Sequence, residues 1–135
     1  MNKAARMAGI LVGIAGLFQL VVGVLMWTGR ALSLTNTHMA VGIVFVLALW
    51  TIAAIATRSH VGSGLTAFAF LWGVVIVLFG IAQARILPGP NHWIVRVVHL
   101  LVGLAAMGLA GAMTRRIREA APHTHAPTPE LHRAG

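Results

Sequence analysis

The chain has 135 residues, of which 59% are hydrophobic and only 9% charged, with a mean hydropathy of +0.89. A soluble domain carries about 25% charged residues, so this chain belongs in a lipid bilayer, and its net charge of +8 sits between apolar blocks rather than on a nucleic-acid-binding face. With no cysteine, disulfides, iron–sulfur clusters and thiolate metal sites are excluded.

A bilayer core needs about 20 apolar residues per helix. Four blocks meet that need, at about 8–28, 38–57, 65–84 and 93–113. Barrel strands would alternate over about ten residues, and these blocks do not alternate. The fold class is therefore all-α, an integral membrane antiparallel four-helix bundle, with residues 1–118 as one four-helix domain. The first block begins with Lys3 and Arg6 but is too long for a signal peptide and lacks a small-residue cleavage site, so it reads as a retained helix. Gly9, Gly13 and Gly16 there, like Gly73 and Gly80 in the third helix, suit close packing in lipid. Gln19 reads as a residue bonding across a helix interface.

Helix-ending chemistry separates the blocks: Thr28–Gly29, Ser33 to Thr37, Ser59 to Gly64, and Pro88–Gly89–Pro90. Lys3, Arg6, Arg58, Arg115, Arg116 and Arg118 fall on one side of this topology, and Arg30 and Arg85 on the other. The positive-inside rule then puts both termini in the cytoplasm of a cell (inner) membrane, with loops 29–37 and 85–92 facing out. Trp27, Trp72 and Trp93 read as interfacial anchors, and Trp50 as a packing residue. From Glu119 the sequence becomes "EAAPHTHAPTPELHRAG", which has no apolar period, so 119–135 is expected to be a disordered cytoplasmic tail. Its His123, His125 and His132 read as solvated rather than as a metal site.

The two halves form an internal two-helix repeat. "HMAVG" at 38–42 opens the second helix, and "HLLVG" at 99–103 lies in the fourth. Counted back from Arg58 and Arg115, the two histidines differ in depth by about 6 Å. Ionisable groups inside a span are costly and point to a functional site with a partner. His92, Arg96, His99 and Gly103 fall at i, i+4, i+7 and i+11, on one helix face; Gly42 stands one turn below His38 in the same way. A planar macrocycle held between two helices needs an imidazole on each side of its metal and a residue without a side chain where its edge meets the backbone. His38 and His99 are candidate axial ligands of a haem, with His92 in reserve, and Gly42 and Gly103 would make room for the ring; the alternative places His38 at the lipid headgroups and bonds His99 to a neighbouring helix carbonyl. Its carboxylates would call for cations, and Arg30, Arg85 and Arg96 are the ones on the outer side. His60, like His92, reads as interfacial. Catalytic alternatives are poorly supplied: the chain has no Asp, and no Glu before Glu119, so a Ser/His/Asp set or a carboxylate proton relay is absent.

"SLTNTHMAVGIVFVLALW" and "LWGVVIVLFGIAQARILPGPNHWIVRVVHLLVGLAAM" resemble the second helix and the third-to-fourth-helix segment of the haem A synthase family. The resemblance covers about residues 8–113, one four-helix half of an eight-helix enzyme, and implies haem b ligation by His38 and His99. Where the family's substrate half has Glu three residues before its second-helix histidine, this chain has Thr35, with Arg96 at the matching place in the fourth helix; the family's outer-loop cysteine pair is also missing. The expectation is a small membrane cytochrome b-like protein for one-electron transfer. The alternatives are a half-size haem A synthase-like enzyme working as a homodimer, or a cofactor-free accessory subunit of a larger respiratory membrane complex.

Overall fold

The computed structural model describes residues 3–59 and 61–120. It contains four long helices, α1 Lys3–Trp27, α2 Thr35–Arg58, α3 Ser63–Ala82 and α4 His92–Glu119, with single 3₁₀ turns at Leu32–Leu34 and Gln83–Arg85. The shortest, α3, has 20 residues, about 30 Å at 1.5 Å per residue, the thickness of a bilayer core. All four are long and apolar enough to cross a membrane. Of the expected 119–135 tail, Glu119 closes α4, and residues 121–135, with their three histidines, lie outside the described residues, as does His60.

The short connections force neighbouring helices antiparallel, and α4 returns to close the ring against α1. Across the bundle α2 touches α4, whereas α1 and α3 make no contact. The α1–α2 turn is a Schellman ending: Gly29 (φ 76°) donates its N–H to the Met26 carbonyl at 3.0 Å, and Arg30 to that of Leu25 at 2.9 Å. Only a left-handed residue permits this reversal, so the glycine fixes where Arg30 leaves the helix.

The side chains are sorted inside out relative to a soluble bundle. Alanines 5, 8, 15, 48, 53, 56, 69, 106 and 110 are buried, while Met7, Ile14, Leu78 and Ile81 point outward and are at least 62% exposed. Large apolar groups face lipid at no cost, and small ones let the backbones approach. The contiguous core is concentrated toward one end, which we call the lower end, where α1 begins and α4 ends. Leu49, Ile52, Met113 and Ile117 fill it with the alanines. The upper half, where the α1–α2 and α3–α4 turns lie, buries few large side chains beyond Val22 and Val95.

Two helix boundaries depart from the sequence reading. The α1 helix starts at Lys3 rather than near residue 8, and α4 runs past 113 to Glu119. Met113 and Ile117 keep packing while Arg115, Arg116 and Arg118 are exposed, and cations near a helix C-terminus are favoured by its dipole. The depth mismatch between the histidines follows from counting back from Arg115, which is not where α4 ends.

Candidate functional site

The upper half of the bundle encloses a chamber of about 470 Å³ with mostly apolar walls, within the size range of small-molecule and cofactor sites. His38 and His99 enter it from α2 and α4, the two helices that touch across the bundle. Their ring centroids are 6.4 Å apart and their planes inclined at 47°. Phe79 of α3 stacks on His99 at a centroid distance of 5.8 Å and an angle of 17°, holding that ring by packing.

Three buried polar atoms at this site lack any hydrogen-bond partner: His38 Nδ1, His99 Nδ1 and Gln19 Oε1. Each such group costs about 1–3 kcal/mol. A fold that carries three in one place, all on chamber-lining residues, holds a polar site that its own atoms do not satisfy.

Each ring lies against a glycine of the preceding helix. The Cε1 atom of His38 is 3.6 Å from where Gly23 would carry a Cβ, and that of His99 is 3.9 Å from the same point on Gly80. Seven residues below these glycines, Gly16 receives the Met107 sulfur and Gly73 receives the Trp50 indole. The first contact joins α1 to α4 and the second joins α3 to α2, so the pattern obeys the two-helix repeat seen in the sequence. A histidine on the even helix faces a glycine on the odd helix before it, in both halves.

The two expected ring-admitting glycines differ. Gly103 faces open space, with nothing within 4 Å of a would-be Cβ. Gly42 also lines the chamber, but a Cβ there would be 2.8 Å from Gln19 Nε2, so the Gln19 amide uses its space. Gln19 makes no hydrogen bond across the helix interface, contrary to the sequence reading; its amide lies beside Gly42 in the chamber, with Oε1 unpartnered.

Arg96 is exposed and lines the chamber, and His92 lines it too, its Nδ1 3.2 Å from the Ile86 carbonyl oxygen. Arg30 and Arg85 are exposed at the same end but are not among the lining residues. The expectation for Trp72 needs correction. It stands midway along α3, half-buried, and donates from Nε1 to the Val102 carbonyl at 3.2 Å, so it packs the bundle rather than marking a membrane surface. Trp50 does the same toward Phe70 at 3.2 Å, as the sequence indicated. The sequence reading did not single out Gly23 or Phe79 and took Gly80 only as a packing glycine; the i, i+7 spacing of Gly16/Gly23 and Gly73/Gly80 was the available signal.

Among the described residues no group of three or more His, Cys, Asp or Glu side chains could hold a metal ion. Two imidazoles alone do not complete a protein metal site, which ordinarily has at least three protein ligands. They do suit a metal whose other positions are supplied by a macrocycle. With each nitrogen about 2 Å from a shared metal and about 1 Å from its own ring centroid, two opposed imidazoles have centroids about 6 Å apart. The residues present fit such a group.

Fold and site together define a multi-pass helical membrane protein, a four-helix bundle whose main core lies toward one end, with a histidine pair in a chamber at the other. Compared with known protein families, curated proteins and solved structures, the chain matches none.

Proposed function

We propose that this chain is a small membrane cytochrome b-like protein that binds one haem b between His38 and His99 for one-electron transfer. The observation that carries the reading is the pairing of two unpartnered imidazoles, 6.4 Å apart, at a chamber large enough for a ligand. When bound, haem supplies a one-electron iron couple whose potential depends on its axial ligands and surroundings.

The chain's own residues do the rest. His38 and His99 would ligate from opposite helices, with Phe79 stacked on the His99 ring. The apolar walls exclude water, which helps set the potential. Gly103 leaves room for a ring edge, and Arg96 offers a cation to an acidic one. With both axial positions taken by histidine, no coordination site is open for oxygen, which favours electron transfer over oxygenation. Methyl oxidation of a haem has no support from nearby carboxylates, since Glu119 is the first acid in the chain. The arginine distribution puts the lower end in the cytoplasm, so the chamber and its electron partners belong to the outer side of the membrane.

Titrating haem b into purified, haem-free protein tests the reading. Saturation at one haem per chain, with narrow reduced α and Soret bands, is expected. A chain that takes up no haem, while its circular dichroism reports intact helices, overturns it.

A further inference from the structure

The lower end carries a second hollow, between α1 and α4. It measures about 750 Å³, with Arg6, Arg115 and Arg118 at its rim and Gly9, Gly13 and Gly111 along its walls. Arg6 and Arg118 have no acidic partner among the described residues. Arg115 lies 3.9 Å from Glu119, both side chains being at least 67% exposed, a pairing worth little in water. Three guanidinium groups thus converge on one slot with almost nothing to balance them.

The slot stays open because its walls are small. Nothing lies within 4 Å of a Cβ built on Gly13 or Gly111, and both glycines are exposed, so the slot opens sideways into the bilayer. It closes above where Met107 packs on Gly16, the same Met107 that lines the upper chamber. From Arg6 to Gly13, and from Arg118 back to Gly111, the helices rise about 10 Å. Cations therefore sit at headgroup level, with an apolar groove leading about 10 Å toward the membrane centre.

We propose that this slot binds an anionic phospholipid, its phosphate held by Arg6 and Arg118 and one acyl chain lying along Gly13 and Gly111. Guanidinium groups match phosphate oxygens in pairs, and basic pockets between spans on the cytoplasmic side take acidic headgroups. The sideways opening and the apolar groove select a lipid over a free anion. The site is independent of the haem reading.

Native mass spectrometry of the full chain in detergent, titrated with phosphatidylglycerol, phosphatidylcholine or chain-free glycerol phosphate, tests this. Phosphatidylglycerol should be retained in preference to the other two. Arg6→Gln and Arg118→Gln should each weaken it about fivefold, the worth of one basic residue at an acidic surface. Arg58→Gln, at the same end but outside the slot, should change nothing, and Gly111→Leu should weaken binding with every charge in place. If Gly111→Leu fails to fold by circular dichroism, Gly13→Leu makes the same test. Equal retention of phosphatidylcholine, glycerol phosphate binding as tight as lipid, or an Arg58→Gln loss equal to that of Arg6→Gln would each overturn the proposal.

Discussion

The His38 and His99 rings face one chamber with centroids 6.4 Å apart, although about sixty residues separate them in the chain. Neither Nδ1 atom has a partner, and the ring separation matches two ligands opposed across one metal. The fold thus holds two buried polar groups side by side without satisfying them from its own atoms, the observation on which the proposed haem site rests.

That cost has a measurable sign. His99→Leu should stabilise the haem-free protein by about 1 kcal/mol, because it replaces an unsatisfied buried polar group with an apolar one. Thermal unfolding in detergent without haem would report it. A histidine placed for structure would instead leave the variant less stable.

Gly103 and Gly42 should respond differently to added volume. Gly103→Leu projects into open space, so it should leave the melting temperature within a few degrees of the wild type while cutting haem uptake at least tenfold. Gly42→Ala displaces only the end of the flexible Gln19 side chain and should retain haem. Loss of haem by Gly42→Ala, with uptake unaffected in Gly103→Leu, would place the ring on the wrong side of the chamber.

The lower glycine contacts differ in how far the neighbour can give. Gly73→Ala would press on the Trp50 indole, a rigid group tied to the Phe70 carbonyl, and should cost about 1–3 kcal/mol. Gly16→Ala meets the flexible Met107 thioether and gains helix propensity of up to about 1 kcal/mol, so its net effect should be near zero. Paired detergent melts of the two variants check the order.

The chain's lack of cysteine makes orientation simple to test. Single cysteines at Ser33 or Asn91 should react with a membrane-impermeant maleimide in intact cells, and one at Ser63 only after permeabilisation. The reverse pattern would invert the topology and move the chamber to the cytoplasmic side.

Much of this architecture was legible in the sequence because it follows from local composition. Apolar length specified four spans, and the repeated H-x-x-V-G pattern singled out the two histidines that converge. What was hidden depends on register between helices. Gln19 lies beside Gly42 only because α1 and α2 pack at one particular offset, and no spacing within α1 reveals it. The grouping of Arg30 and Arg85 with Arg96 used membrane side alone; a Schellman turn and a 3₁₀ turn carry the first two away from the chamber wall. Trp72 was assigned by residue type, whereas its place along α3 makes it a packing residue.

The central claim is tested most directly by reduced-minus-oxidised spectra of the haem-loaded protein and of its His38→Ala, His99→Ala and His92→Ala variants. The account predicts narrow, low-spin α and Soret bands in the wild type and His92→Ala, and their loss in each of the other two. A wild type that stays colourless with ample haem, or bands that survive removal of both His38 and His99, would contradict it.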